Sequence, residues 1–552
     1  MDMSRIRSQQ VRAEIAAIPF VVMAAFAFRA RSLTAGVGGD EYSLLAMARA
    51  IREGGFPYAA FWDVRPPLAF LWALPSAFVE DTAAAIMTLR LLALLAQGIA
   101  AWLFFCLFRR RLGPLAAALG AAALLASANM AEVHHVALPN HFSMAVALGA
   151  FAAAVEGIRR NLRPMYLVSA ALAGLLPWMM VHAALAALAI AVLAISGAWH
   201  RDRWAGPWLA VAALPSVAVV GAYALWGPFD ALVRTVLLAP VDFLREGLAG
   251  YDSFSPDLDT LAAGAGPAMA CYVLLLLAGI AWLPGMVAKA APGSPLRSSP
   301  WLVLPPILPL VLMAWLKDGA PEYWIDAAPT AALLAAVAVH RLLSLKAWAA
   351  LGGFRYLPSV LRGCAVVYMG LGLAALAAAS RESPEPPLPT AYCEAASWWM
   401  ERLGPDRTVL DTSALCSYWM LESNARLHPP FTFTDHWFRQ LRMRWVGRAL
   451  ADDGSGTAAA ERLRAAVGRG STAGIIIADS RLCDEVRERD WQAPFTREWK
   501  RVWFRRIDGY GPEDRFSTLA VFARRDVFLE ARDEWTEEEA WGDGCPAAKE
   551  TR

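Results

Sequence analysis

The chain has 552 residues, of which 57% are hydrophobic and 18% are charged, and its formal net charge is +2. This composition, with a mean hydropathy of +0.39, excludes an ordinary soluble enzyme and places the chain in the membrane class. The charges are segregated, because residues 1–380 are apolar with scattered basic residues, whereas residues 381–552 are rich in Asp, Glu and Arg.

The apolar part divides into transmembrane helices. A bilayer core takes about 20 apolar residues per helix, and this length predicts about eleven spans. The first follows basic residues without a small-residue cleavage site, so we expect it to remain as a helix rather than to be removed as a signal peptide. Pro177 and His182, between the fifth and sixth spans, predict a tight reversal. The spans lie near 14–33, 84–108, 112–130, 141–157, 164–179, 182–199, 204–226, 266–288, 301–316, 327–343 and 363–380.

Basic residues predict the orientation of these spans. Lys and Arg in short loops are retained in the cytoplasm, and every second predicted loop is basic. The basic side includes the N-terminal arginines, Arg109–Arg111, and Arg159 with Arg160. We therefore expect a cytoplasmic N-terminus in a bacterial inner membrane. The segments expected on the periplasmic side are 34–83, 131–140, 227–265, 317–326 and 381–552.

The polar tail predicts a separate domain. A Pro-rich linker at 381–390 separates a membrane domain, 1–380, from this domain, 391–552. Buried-strand patterns alternate with helix-like stretches, which predicts an α/β fold. The strand patterns are 408–411, 474–479 and 517–523, and the helix-like stretches are 392–403 and 458–468.

Four of the seven cysteines lie in this tail and can form disulfides if it is extracytoplasmic. The sequence leaves all three pairings open. The four are Cys393, Cys416, Cys483 and Cys545.

The most informative motifs lie in the first predicted periplasmic loop. They read Gly39-Asp40-Glu41-Tyr42, then Ala46-Met-Ala-Arg49, then Asp63-Val-Arg65-Pro66-Pro67. This ordered set resembles the first-loop signature of GT-C glycosyltransferases that use polyprenyl-phosphate sugars. That group includes protein O-mannosyltransferases, aminoarabinose transferases of lipid A and bacterial relatives acting on envelope polysaccharide. The resemblance implies a GT-C-like membrane domain followed by an extracytoplasmic domain.

The acidic pair provides candidates for catalysis. Sugar transfer to a hydroxyl needs a base near the acceptor, and a carboxylate desolvated at the interface can act at working pH. The resemblance gives this role to Asp40. Glu41 is the second catalytic candidate, tuning Asp40 or holding the first turn of the next helix, and Tyr42 is a substrate-binding candidate. The alternative is that Asp40 and Glu41 form a helix N-cap with an acidic first turn.

Arg65 is the candidate ligand of the donor phosphate. A guanidinium binds phosphate oxygens bidentately and stays charged when partly buried, and the resemblance places a phosphate-contacting Lys at this position. An arginine reaching toward lipid headgroups is the alternative. We expect Pro66 and Pro67 to fix an extended backbone that aims Arg65, and Asp63 to orient it or contact sugar hydroxyls.

Two further loops contribute substrate-binding candidates. Asn140 stands where relatives often carry an acid, so Glu132, His135 or Asn140 itself is expected to bind the acceptor. His134, His135 and His141 also allow a metal site, but the pattern favours an interfacial hydrogen-bonding set. We therefore expect no required cofactor, although a divalent cation remains possible. In the loop at 317–326, Glu322, Tyr323 and Trp324 are expected to line the donor site, and the alternative is that the aromatic residues belong to an interface belt.

Together with these residues, the resemblance implies an inverting, mannosyltransferase-like enzyme. It moves one sugar from a polyprenyl-phosphate carrier to an envelope lipid, polysaccharide or protein, with membrane lipid and no nucleic acid as further partners. No Gly-rich nucleotide-binding loop is visible in the sequence. One alternative is a transporter or flippase, for which Arg90 supplies an intramembrane charge. The other is a non-catalytic protein that binds polyprenyl lipid.

Overall fold

The structure is a computed structural model, and it describes part of the chain. The predicted spans at 14–33, 301–316 and 363–380 fall largely or wholly outside the described residues, as do the linker and the stretch 458–468. The described residues are 18–19, 23, 33, 39–58, 65–127, 137, 139–199, 204–233, 236, 274–303, 324–344, 367, 398–399, 401–402, 408–411, 473–479, 482–483, 486–487, 490–506, 518–534, 542–543 and 545.

Helices dominate the described residues before position 345. Three of them, α4, α6 and α9, are long and apolar enough to cross a membrane, and α5, α8, α11 and α12 contain shorter apolar stretches. Each predicted span from 84–108 to 204–226 contains a helix, while the total of about eleven stays a prediction. In chain order the helices are α1 (Gly39–Arg52), α2 (Leu68–Leu71), α3 (Leu74–Ala77), α4 (Thr82–Leu112), α5 (Pro114–Ser127), α6 (Pro139–Arg160), α7 (Arg163–Met179), α8 (Ala183–Trp199), α9 (Ala205–Trp226), α10 (Phe229–Leu232), α11 (Leu274–Ala288) and α12 (Trp324–Leu343).

Helix α4 shows how its sequence sets its ends. Asp81 caps the helix, because its side chain accepts a hydrogen bond from the Ala84 amide at 2.6 Å. Gly113 ends it with φ of +83°, a conformation that costs glycine little, and Pro114 begins α5. This tight turn directly follows the last turn of α4, which carries three arginines.

The same helix has a buried face and an exposed apolar face. One face is buried in the protein and includes Leu89, Ala93 and Phe104. The other face is apolar, yet its side chains are 47–59% exposed. A continuous exposed apolar stripe is unfavourable in water and matches the surroundings of a helix in lipid. The exposed residues of this stripe are Leu91, Leu95, Ile99 and Trp102.

Small residues allow the helices to approach closely. A Cβ on Gly174 of α7 would lie 2.2 Å from the Ala212 carbonyl oxygen of α9, so only glycine fits this crossing. A Cβ on Gly120 of α5 would lie 2.8 Å from the Ala336 Cβ of α12. Close packing through small residues is a common means of helix association in membranes.

The predicted reversal between α7 and α8 is present. Pro177 lies inside α7, which ends at Met179, and Met180 has an extended backbone. The Ala183 amide donates to the Met180 carbonyl oxygen at 3.1 Å, so the chain turns within three residues and enters α8.

The described part of the tail contains a five-stranded mixed sheet in the order β1-β2-β4-β3-β5. Strands β1, β2 and β4 lie where the sequence predicts strands, whereas β3 was not predicted. Among the described strands, only the β1–β2 pairing is parallel. Strand β4 pairs antiparallel with β2 and β3, and β5 pairs antiparallel with β3. The elements are β1 (Thr408–Asp411), β2 (Ala473–Asp479), α13 (Gln492–Glu498), β3 (Trp499–Arg506), β4 (Thr518–Arg524), α14 (Arg525–Ala531) and β5 (Gly542–Asp543).

Among the described residues of this region, a disulfide joins Cys483 and Cys545. Both cysteines are buried. The bond joins the segment after β2 to the residue that lies two positions beyond β5. It is one of the pairings left open by the sequence, while Cys393 and Cys416 lie outside the described residues.

Candidate functional site

The predicted acidic pair lies at the start of α1. Helix α1 begins at Gly39, so Asp40 and Glu41 both belong to its first turn. The backbone of Asp40 is described, and its side chain is not. From Glu41 to Ala48 every residue of α1 is buried, including Tyr42. Tyr42 packs in a cluster with Leu45 and Ile86, which attaches α1 to α4.

Glu41 forms a buried ion pair with Arg90 of α4. Arg90 Nε donates to Glu41 Oε1 at 2.9 Å, and Nη2 donates to Oε2 at 2.6 Å. Both side chains are 0% exposed. A third guanidinium nitrogen, Nη1, donates to the Leu33 carbonyl oxygen at 2.8 Å. Both carboxylate oxygens of Glu41 are therefore engaged, and this geometry fixes the first turn of α1 next to Asp40.

Sequence reasoning noted Arg90 only as an intramembrane charge and did not pair it with Glu41. Arginine inside an apolar span carries a large desolvation cost and almost always finds a partner. That rule predicts a partner for Arg90, but 49 residues separate the two side chains along the chain. Spacing alone therefore does not identify Glu41 as that partner.

The C-terminal end of α1 is held by backbone contacts. Arg49 Nη2 donates to the Glu80 carbonyl oxygen at 3.0 Å, and Arg52 Nη1 donates to the Ala77 carbonyl oxygen at 2.6 Å. Burial lowers the pKa of Arg49, and the nearby charge of Arg52 acts in the same direction. Arginine still stays protonated in proteins. The two guanidinium groups thus attach α1 to the end of α3 and to the segment that follows it.

The backbone at Arg65 is fixed by Tyr58, whose hydroxyl donates to the Arg65 carbonyl oxygen at 2.6 Å. Pro66 and Pro67 are buried, and Arg65 itself is partly exposed. The expectation that both prolines are extended is wrong at Pro67, which has φ −63° and ψ −30°. The Ala69 amide donates to the Pro66 carbonyl oxygen at 2.9 Å, because the chain turns here to begin α2. Arg65 is therefore placed by a turn.

An aromatic bracket, formed by Phe56, Tyr58, Trp178 and Tyr223, supports this turn. The Phe56 and Tyr58 rings lie 4.7 and 5.8 Å from the Tyr223 ring, measured between centroids. Trp178 belongs to the same cluster. Tyr58 has φ of +69°, a strained conformation for a bulky residue that persists only where the surroundings enforce it. The bracket therefore holds residues 65–72, called the Arg65 element below, against α7 and α9.

The start of α6 meets this element from another side. Trp72, which follows α2, stacks on Phe142 of α6 with ring centroids 4.0 Å apart. Asn140 and His141 are buried in the first turn of α6. The structure thus gathers the start of α1, the Arg65 element and the start of α6 around α4, although they are distant in sequence.

The other predicted site residues are not placed. Asp63, Glu132, His135, Glu322 and Tyr323 lie outside the described residues, as does His134. Within the described part of the chain, no three His, Cys, Asp or Glu side chains are grouped for metal binding.

Comparisons with known proteins identify the fold. Neither a protein-family model nor a curated protein sequence matches the chain. Among solved structures, the crystal structure of ArnT from Cupriavidus metallidurans bound to undecaprenyl phosphate superposes with a TM-score of 0.55 at 15% identity, over 92% of this chain and 97% of that chain. The apo state of the same protein superposes with a TM-score of 0.51 at 14% identity, over 93% of this chain and 98% of that chain. The chain therefore shares its overall fold with ArnT.

Proposed function

We propose that this protein is a glycosyltransferase that takes one sugar from a polyprenyl-phosphate carrier and transfers it to an envelope acceptor. The observation that carries the proposal is the ArnT fold over 92% of the chain, shared with a structure that holds undecaprenyl phosphate. The Asp40–Glu41 and Arg65 motifs supply residues suited to this chemistry in the same membrane domain. The acceptor class we propose is a lipid, polysaccharide or protein of the cell envelope.

The proposed reaction is a direct displacement at the anomeric carbon. The acceptor oxygen forms the new bond, its proton passes to Asp40, and the bond to the carrier phosphate breaks. The departing phosphate keeps the electron pair, and Arg65 stabilises its charge. Glu41, held by Arg90, positions the turn that carries Asp40. Because a guanidinium supplies the positive charge, the proposed mechanism requires no metal or organic cofactor.

The direct test is to purify the full-length protein, identify its bound lipid, and assay transfer from synthetic polyprenyl-phosphate sugars to envelope extracts. We expect a copurifying polyprenyl phosphate and sugar transfer. A protein that retains this lipid but never transfers a sugar would instead be the non-catalytic binder, the alternative that Asn140 in place of an acid favours.

We further propose that the tail faces the periplasm of the inner membrane. Two independent features support this orientation. The alternation of basic loops predicts that 381–552 lies outside the cytoplasm. The Cys483–Cys545 disulfide is a bond that forms and persists in oxidising compartments and is rare in the cytosol.

This orientation predicts the labelling of single cysteines by a membrane-impermeant thiol reagent. Leu529 is 70% exposed on α14, so Leu529→Cys should react in intact spheroplasts. Arg160, at the end of α6, lies on the predicted cytoplasmic side, so Arg160→Cys should react only after lysis. The unsubstituted protein provides the background of native thiols. The reverse pattern of labelling would overturn the orientation.

The assignment of Arg65 predicts a loss of donor affinity. Hydrogen bonds to charged groups contribute about 1.5–3 kcal/mol, so Arg65→Ala should raise the apparent KM for the donor by about tenfold to a hundredfold. Arg65→Lys keeps the charge but not the bidentate geometry and should recover part of this loss.

Arg52→Ala provides a matched control. Arg52 lies in the same predicted periplasmic segment, 34–83, but its guanidinium donates to the Ala77 carbonyl oxygen. This variant should lower stability without raising the donor KM. An unchanged KM and turnover in Arg65→Ala would show that Arg65 does not bind the phosphate.

A further inference from the structure

A second charged site lies at the opposite end of the helices from the first loop. A cavity of about 470 Å³ opens between the last turns of α4 and α6 and the segment 292–295. This volume falls in the range of ordinary small-molecule sites. The cavity lies on the side that the basic loops assign to the cytoplasm, away from Asp40 and Arg65. Five arginines and one glutamate line it: Arg109, Arg110, Arg111, Arg159, Arg160 and Glu156.

The single carboxylate in the cavity is already neutralised. Arg159 Nε and Nη2 donate to the two Glu156 oxygens at 2.9 and 2.6 Å. Arg160 forms a second ion pair with the same carboxylate. The three arginines of α4 form no salt bridge with any residue that the structure describes, and Arg109 lies over the Phe105 ring, 5.5 Å from its centroid. A strong excess of positive charge is therefore available to a ligand.

Another wall of the cavity is apolar and belongs to the bundle. It is formed by Leu103 and Leu107 of α4 and by Ala152 and Val155 of α6. Gly293 closes the rim with φ of +74°, and a Cβ there would lie 3.6 Å from Arg159 Cα. A free anion would use only the arginines. A lipid would use both parts, with its phosphate at the arginines and the start of its acyl chains along the apolar wall.

From this juxtaposition we infer that the cavity binds the phosphodiester headgroup of an anionic phospholipid from the cytoplasmic leaflet. Basic pockets between transmembrane helices on the cytoplasmic side suit such headgroups. Arg110 and Arg111 supply the charge for the phosphate, while Arg109, Arg159 and Arg160 also line the cavity. The bound lipid would join the ends of α4 and α6. The inference does not depend on the proposed glycosyltransferase activity.

Native mass spectrometry of the full-length protein tests this site. The protein is equilibrated in detergent with phosphatidylglycerol or phosphatidylcholine of identical acyl chains. We expect one phosphatidylglycerol to be retained, with an affinity about tenfold higher than that of phosphatidylcholine. Because removal of one hydrogen bond to a charged group weakens binding by about tenfold or more, Arg110→Gln/Arg111→Gln should abolish the preference. Arg163→Gln is the matched control, because Arg163 is exposed on the same predicted side and does not line the cavity.

A further variant and two competition experiments identify which ligand binds in the cavity. Ala152→Phe fills the apolar wall and should weaken phosphatidylglycerol binding, while a site for a free anion would be unaffected. The inference is wrong if the double variant and Arg163→Gln retain phosphatidylglycerol equally, or if inorganic phosphate at millimolar concentration competes fully with it. It is also wrong if undecaprenyl phosphate displaces phosphatidylglycerol at equal concentration, since the site would then serve the carrier. Unchanged melting temperatures would show that loss of binding does not reflect unfolding.

Discussion

Arg90→Met should strongly destabilise the protein. The substitution removes the guanidinium that satisfies both Glu41 oxygens and the Leu33 carbonyl oxygen, all in the interior. Breaking a buried ion pair by removing one partner costs about 3–5 kcal/mol, because the remaining charge is left without compensation. We expect a clear drop in the melting temperature in detergent, together with reduced insertion yield.

The double variant Glu41→Met/Arg90→Met separates the charge penalty from the loss of packing. Replacing a buried pair with apolar residues of similar volume is often neutral or stabilising. The double variant should therefore melt close to the wild type, well above Arg90→Met. If the two variants melted at the same low temperature, the ion pair would not be the source of the destabilisation.

The same double variant defines the role of Glu41. If Glu41 only positions the first turn of α1, the stable double variant should retain measurable sugar transfer with an altered KM. If its carboxylate takes part in the reaction, transfer should be lost even though the protein folds. The transfer assay and the melting temperature, measured on one preparation, distinguish these outcomes.

The positions of the helices were predictable because bilayer thickness imposes a length on each span. Helix α4 illustrates this, since its length matches a bilayer and a lipid environment accounts for the exposed Leu95 and Trp102. The reversal near Pro177 was predictable for a related reason, because two short apolar helices need a tight connection. These features depend on local composition.

Strand β3 was missed because its charges obscure the alternation that indicates a strand. Its sequence, WKRVWFRR, is rich in basic residues, of which Lys500 lies over the Phe528 ring, 5.6 Å from its centroid. Val502 and Trp503 are buried, although they are adjacent, because the pairing with β4 shifts register between Arg501 and Trp503. A register shift is set by the partner strand, so the isolated sequence does not reveal it.

The candidate site was only partly predictable for a similar reason. The motifs identify Asp40, Glu41 and Arg65 as residue types suited to the reaction, but their partners come from distant segments. Arg90 reaches Glu41 across 49 residues, and the bracket that supports Arg65 includes Tyr223 from α9. Long-range contacts of this kind depend on how the helices pack.

Asp40→Asn should lower the rate of sugar transfer by about 10²–10⁴, the usual contribution of a general base. The amide keeps the size of the side chain and removes its ability to take the proton. Loss of a negative charge in a first helical turn costs only about 0.3–1 kcal/mol. The variant should therefore fold and insert into the membrane. The substitution should lower turnover more than it raises the donor KM.

A matched control comes from Asp81, which caps α4 and is exposed. Asp81→Asn also removes one carboxylate from the same predicted side, and asparagine caps helices about as well as aspartate. This variant should transfer sugar at close to the wild-type rate. If both variants lost activity together with melting temperature, the effect would be structural, as the helix-terminus interpretation of Asp40 predicts. Near-normal turnover in Asp40→Asn would show that the proton of the acceptor hydroxyl goes elsewhere, and the displacement mechanism would then need a different base.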